Sequence, residues 1–178
     1  MKIAVMGAGS WGTTVAKVIA DGGNDVVLWS RRQDLADEIN ETSRNGDYLP
    51  GVDLPKTLTA TSDLEAALLN ATQVYIAIPS QSLRETLSQW KELIPEGATV
   101  ISLMKGLEQS TGARMSEVIH QATDLPESQI AVLSGPNLAL EIARKDPAAA
   151  VCACEDQDRA IEVARVCSNQ YFTVFTNQ

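Results

Sequence analysis

The sequence predicts an α/β fold, a doubly wound and mostly parallel sheet with helices on both faces, and three observations carry that prediction. The chain opens on a buried-type apolar run, Ile3-Ala4-Val5-Met6, that turns at once into Gly7-Ala8-Gly9-Ser10-Trp11-Gly12. Short apolar runs then alternate with stretches of helical periodicity along the rest of the chain. Gly, Pro, Asn and Asp gather at the junctions between them. The 178 residues suffice for one well-buried domain and are few for two, so 1–178 reads as a single unit.

Each element has its own signature. After the glycine turn, Val15, Val18 and Ile19 recur at helical spacing until Gly22-Gly23 ends the helix. Asp25-Val26-Val27-Leu28-Trp29 is the second strand, and Leu35 and Ile39 mark a short helix from Asp34. Residues 45–55, rich in Gly and Pro, form a long loop of the kind that carries function over the edge of an α/β sheet. Ser62 and Glu65 suggest a capping box opening the next helix. Gln73 to Ile78 is a core strand stopped by Pro79, followed by an amphipathic helix from Ser80 with Leu83, Leu87, Trp90, Leu93 and Ile94 on one side. Thr99 to Leu103 is a strand delivering Met104-Lys105-Gly106-Leu107-Glu108 to the sheet's carboxyl edge. A helix over 115–122 leads to the strand 129–133, which ends in Ser134-Gly135-Pro136-Asn137-Leu138-Ala139 with Leu138, Glu141 and Ile142 continuing helically. Residues 148–154 and 171–175 are further strands, separated by a helix carrying Ile161, Val163, Ala164 and Val166.

Composition narrows the function. A net charge of -9, with no cluster of Lys and Arg, argues against a nucleic-acid or anionic-membrane surface. No apolar run approaches spanning length and the first strand is not a cleavable leader, so neither membrane insertion nor export is expected, and the chain reads as cytoplasmic. Cys152 and Cys154 share a face of one strand and, with Cys167, are expected to be buried reduced thiols; no metal site is expected. His120, the only histidine, reads as an exposed or capping residue.

The chemistry concentrates at turns. Gly-x-Gly-x-x-Gly between a strand and a helix is the dinucleotide-binding turn of a Rossmann-type sheet. In that reading Gly7 makes the tight turn, Gly9 lets a pyrophosphate approach and Gly12 allows close helix packing. The strand after it lacks the terminal carboxylate expected to hold the ribose of NAD. It ends in Trp29-Ser30-Arg31-Arg32, whose paired guanidinium groups suit the 2′-phosphate of NADP or are simply solvated loop charges. Tyr48 could close over the cofactor or plug the underside of its loop. Lys105 at a strand tip is a candidate site residue, the alternative being a surface lysine. The turn 134–139 offers backbone donors and the Asn137 amide to an anion or carbonyl, unless it is only a helix start with Pro136 in the first turn.

Four stretches, Gly9-Ser10-Trp11-Gly12-Thr13, Tyr48-Leu49-Pro50-Gly51-Val52-Asp53-Leu54-Pro55, Lys105-Gly106-Leu107-Glu108 and Ser134-Gly135-Pro136-Asn137-Leu138-Ala139-Leu140-Glu141, together resemble NAD(P)-dependent glycerol-3-phosphate dehydrogenases of the bacterial type. The resemblance implies interconversion of dihydroxyacetone phosphate and sn-glycerol 3-phosphate, mainly for phospholipid synthesis, with NADP or NAD as cofactor. It further implies that Ser10 and Trp11 contact the dinucleotide, Arg31 and Arg32 its adenosine side, and Tyr48 and Ala139 the cofactor as well. Lys105 would lie between cofactor and substrate as the catalytic residue of this chain, and Gly135 and Asn137 would contact the small phosphorylated substrate. Asn137 stands where the family usually has Ser or Thr. The family also has a helical C-terminal substrate domain with a second lysine as general base, expected to be missing from this chain, so that the isolated chain is expected to be inactive. A homodimeric full-length form is compatible with the resemblance. Two other readings stay open: a free-standing dinucleotide sensor, and the N-terminal domain of another hydroxy-acid dehydrogenase.

Overall fold

The computed structural model describes residues 1–177, which form one eight-stranded sheet with helices on both faces. The strands are β1 (Ile3–Met6), β2 (Val26–Trp29), β3 (Leu58–Thr61), β4 (Gln73–Ile76), β5 (Thr99–Ser102), β6 (Ile130–Ser134), β7 (Ala148–Cys154) and β8 (Phe172–Asn177). The helices are α1 (Ser10–Asp21), α2 (Gln33–Thr42), α3 (Leu64–Leu68), α4 (Leu83–Trp90), α5 (Met115–Thr123), α6 (Ala139–Ala143) and α7 (Gln157–Cys167). Spatial order is β3-β2-β1-β4-β5-β6-β7-β8, all neighbours parallel except β6 and β7. The order reverses at β1, so the crevice between the carboxyl ends of β1 and β4 is where such sheets take ligands.

The apolar residues explain the layering. Ile3, Ala4, Val5 and Met6 are completely buried because side chains alternate between two covered faces. Ile3, Val5, Tyr75 and Ile101 point to the layer of α1, α2 and α7; Ala4, Met6, Val74, Ile76 and Val100 point to the layer of α3, α4 and α5. The stripe Leu83, Leu87 and Trp90 seats α4 on the second face, and Trp90 meets Trp29 edge to face at 5.1 Å between centroids. Truncating Leu87 to Ala there costs about 2–5 kcal/mol by cavity formation.

Several local expectations change. β3 has no counterpart in the sequence reading: it has four residues with only Leu58 and Ala60 inward, and it pairs as the edge strand beside β2. The cap of α3 is Asp63 rather than Ser62, because Asp63 accepts the Ala66 N–H at 3.0 Å while the Ser62 hydroxyl is spent on Gln33. The stretch from Ser80 is a 3₁₀ turn over Ser80–Ser82 before α4, with a second such turn over Lys91–Leu93 after it. Leu138 is extended (φ -107°) and caps α6, so Pro136 precedes the helix rather than sitting in its first turn. Cys152 and Cys154 both point inward from β7 and, like Cys167, are free. Burial pushes the Cys152 and Cys167 thiols up to about 12. His120 closes the end of α5, its Nδ1 2.7 Å from the Leu125 carbonyl. Among the described residues no helix is long and apolar enough to cross a membrane, and no group of three or more His, Cys, Asp or Glu is placed to hold a metal ion.

Candidate functional site

The three glycines of the first turn respond differently to an imagined side chain. Gly7 has φ +126°, and a Cβ there would lie 2.4 Å from the Ala77 carbonyl oxygen. At Gly12 a Cβ would lie 1.9 Å from the Gly7 carbonyl oxygen, so the start of α1 can close on the turn only without one. A Cβ at Gly9 would meet nothing within 4 Å. The fold itself therefore requires Gly7 and Gly12, whereas the bare surface at Gly9 leaves space directly over the first N–H groups of α1. No side chain caps that helix start, which leaves its donors and dipole available to an anion.

The loop over 45–55 is tied to this turn by a buried amide. Asn45 Nδ2 donates to the Ala8 carbonyl at 3.0 Å and to Thr13 Oγ1 at 2.8 Å, and its Oδ1 accepts the Tyr48 N–H. The Ser10 hydroxyl donates to the Tyr48 carbonyl at 2.6 Å. Tyr48 itself is 44% exposed, which removes the alternative of an aromatic plug beneath the loop.

A cleft of about 310 Å³ opens at the carboxyl edge, lined by Trp11, Ala77, Ile78, Ser80, Leu103, Met104, Lys105, Asn137 and Ala139. Four residues singled out in the sequence, Trp11, Lys105, Asn137 and Ala139, thus share one cavity. Lys105 Nζ donates to the Gly135 carbonyl at 2.8 Å, joining the two strand-tip motifs directly. Gly135 lacks a Cβ for good reason, since one would lie 2.8 Å from the Ala149 carbonyl oxygen and 3.1 Å from the Asn137 amide nitrogen. Thr14 Oγ1 donates to the Ser10 carbonyl and reaches the Ala139 carbonyl at 3.2 Å, linking α1 to the same turn. Trp11 Nε1 and both polar atoms of Asn137 are buried with no hydrogen-bond partner among the described residues. Buried polar atoms are nearly always satisfied, and these three belong to two side chains that line the cleft.

Lys105 sits on a braced loop. Glu108, 7% exposed, takes a bidentate bond from Arg84 of α4 (2.9 and 2.8 Å) and the Thr111 hydroxyl at 2.6 Å. The Arg84 guanidinium, helped by Thr111, lowers the Glu108 carboxyl from 4.5 to about 2. Gln81 grips the same loop twice, donating to the Leu107 carbonyl and accepting the Gln109 N–H, both at 2.9 Å.

The matching family model, NAD-dependent glycerol-3-phosphate dehydrogenase N-terminus, covers residues 2–160. The chain belongs to this family. A glycerol-3-phosphate dehydrogenase [NAD(P)+] of Corynebacterium kroppenstedtii is 53% identical over 175 residues, 98% of this chain and 53% of the relative. A second one from Mycobacterium tuberculosis is 51% identical over 98% of this chain and 52% of its own length. The crystal structure of glycerol-3-phosphate dehydrogenase from Coxiella burnetii superposes with a TM-score of 0.91 at 34% identity, covering 99% of this chain and 54% of that one. The chain therefore spans about half the length of the dehydrogenases it matches.

None of Arg31, Arg32 and Tyr48 is among the residues that line the cleft of this dehydrogenase domain. Arg32 is not a free cation, however. It pairs with Asp34 and Asp47, which raises its pKa further above the usual guanidinium range. The carboxylate missing from the end of β2 is thus replaced by two carboxylates from α2 and the loop. Sequence reasoning also missed Ala77, Ile78 and Ser80, which follow β4 and line the cleft; the reversal of strand order beside β4 is the signal that finds them.

Proposed function

We propose that this chain is the dinucleotide-binding half of an NAD(P)-linked glycerol-3-phosphate dehydrogenase that interconverts dihydroxyacetone phosphate and sn-glycerol 3-phosphate for phospholipid synthesis. The observation that carries the reading is the convergence of Trp11, Lys105, Asn137 and Ala139 on one cleft beside the open Gly9 surface. The nicotinamide ring supplies or accepts the hydride when the cofactor is bound. Gly9 and the start of α1 hold the pyrophosphate, with Ser10 and Trp11 beside it, and Arg31 and Arg32 face the adenosine ribose. Trp11 and Asn137 satisfy their buried polar atoms on the ligands, while Ala139 and the apolar wall of Ile78, Leu103 and Met104 exclude water.

Lys105 donates toward the substrate oxygen on which negative charge develops during reduction, and Gly135 and Asn137 form the substrate wall beside it. Asn137 offers an amide, which can both donate and accept there. The remaining phosphate contacts and the proton-transferring base are assigned to the second half present in the relatives, as is any homodimer contact. A cytoplasmic setting agrees with three free thiols.

The test pairs binding with turnover. The 178-residue chain should quench in tryptophan fluorescence on titration with NADPH or NADH, yet oxidise NADPH negligibly with dihydroxyacetone phosphate. The same chain joined to the C-terminal half of the Corynebacterium relative should turn over, and lose turnover on Lys105→Ala. A chain that binds neither dinucleotide refutes the reading, and robust turnover by the chain alone refutes the division of labour.

A further inference from the structure

Arg32 donates from Nε and Nη2 to the two oxygens of Asp34 at 3.1 and 2.6 Å, and from Nη1 to Asp47 at 2.6 Å. A guanidinium has five N–H hydrogens, so three are committed to carboxylates and two remain. Arg31 is exposed and forms no ion pair among the described residues. The four charges at this end of the crevice, Arg31 and Arg32 against Asp34 and Asp47, cancel. Asp34 lies in the first turn of α2, where a carboxylate also serves the helix dipole. Asp47 has no such local duty: it reaches Arg32 from the 45–55 loop, and both partners of the pair are about half exposed (45% and 50%).

We propose that Asp47 is a specificity-determining residue that holds down the preference for a 2′-phosphate by competing for Arg32, so that one site accepts both NADH and NADPH. The inference rests on the reading that Arg31 and Arg32 face the adenosine ribose. A ribose hydroxyl is an uncharged donor, and a neighbouring carboxylate suits it. A 2′-phosphate is a doubly charged acceptor, which must share Arg32 with Asp34 and Asp47 and lie beside their like charges. The penalty falls on NADPH alone, and it shrinks when Asp47 becomes a neutral isostere, Asp34 keeping its own hold on Arg32.

The experiment measures dissociation constants of NADPH and NADH at one fixed ionic strength for the 178-residue chain and for Asp47→Asn, Arg32→Ala, Arg31→Ala and the Asp47→Asn/Arg32→Ala pair. Thermal melts of each variant report folding separately. Asp47→Asn should raise the preference for NADPH over NADH by roughly three- to tenfold, the effect of removing one exposed, partly screened charge. The double variant should gain less over Arg32→Ala than Asp47→Asn gains over the parent, because without Arg32 only the direct repulsion between Asp47 and the phosphate is left to remove. An unchanged preference in Asp47→Asn, with Arg32→Ala still lowering it, overturns the proposal and leaves the arginine reading standing. Equal weakening of both dinucleotides makes Asp47 a loop brace and also overturns it. If neither arginine variant moves the preference, the arginine reading fails and the proposal with it.

Discussion

Gly9 and Gly12 are three residues apart in one motif, and the structure separates what each is for. At Gly12 a methyl group would lie 1.9 Å from a backbone oxygen that has nowhere to go, so Gly12→Ala overpacks the junction of turn and helix. Overpacking costs about 1–3 kcal/mol or more. At roughly 2–4 °C per kcal/mol for a chain of this size, its melting temperature should drop by about 2–12 °C. Gly9→Val instead places its side chain in open space at a backbone conformation (φ -71°, ψ 178°) that any residue adopts. The loss of a preferred N-cap residue, about 1 kcal/mol, is offset by about 0.4–1 kcal/mol of lost freedom in the unfolded chain, so stability should hardly move. Affinity should move instead. Displacing the pyrophosphate from even one charge-assisted N–H bond costs about 1.5–3 kcal/mol, or roughly 10- to 150-fold in Kd for both dinucleotides. Fluorescence titration and thermal melts on the two variants decide it. Normal affinity in Gly9→Val, or melting of Gly9→Val as low as that of Gly12→Ala, refutes the assignment of the open surface to a phosphate.

Further outcomes follow from the same geometry. Arg31→Ala/Arg32→Ala should weaken NADPH by at least about tenfold, the size of one lost charged bond, and leave NADH nearly unchanged; equal losses refute a role in reading the 2′-phosphate. Because the Glu108 carboxyl is lowered to about 2 in the fold from 4.5, its ionised form stabilises the chain at neutral pH and that contribution disappears as pH falls from about 4.5 toward 2. Glu108→Gln should therefore melt lower than the parent at pH 7, with the gap closing across that window, and a gap that stays constant with pH refutes the ion-pair explanation. Leu87→Ala should lose about 2–5 kcal/mol in urea unfolding while dinucleotide affinity per folded molecule is kept, since Leu87 packs α4 and touches no part of the cleft.

Motifs whose chemistry is carried by backbone or by a strand tip were legible in the sequence. Gly7, Gly9 and Gly12 announce a turn because their spacing follows a short apolar strand, and Lys105 and Asn137 follow strands apolar enough to place them at the carboxyl edge. The supports were not legible. Asn45 bonds Ala8 across 37 residues, Thr14 bonds Ala139 across 125, and Arg84 bonds Glu108 across 24, and nothing local to these polar residues distinguishes them from solvated ones. β3 escaped for a related reason: with two inward residues it forms only because β2 offers an edge. Arg32 shows the converse: the acids that pair with it, Asp34 and Asp47, are brought to it by α2 and the 45–55 loop.

Arg32 and Lys105 differ in how the fold compensates their positive charge. Arg32 is paired with two carboxylates, Asp34 and Asp47. Lys105 is held by a neutral carbonyl, that of Gly135, and it makes no ion pair among the described residues. The carboxylate nearest along its own loop, Glu108, is turned away into Arg84 and Thr111. In a chain of net charge -9 this leaves Lys105 as an uncompensated cation beside the unpaired amide of Asn137. Positive charge fixed by backbone and kept clear of acids is what a developing oxyanion on a small substrate requires, because its donor is already aimed and needs no reorganisation as the charge appears. The Arg84–Glu108 pair thus serves Lys105 in two ways: it fixes the loop that carries the lysine, and it removes the one carboxylate on that loop from competition for it.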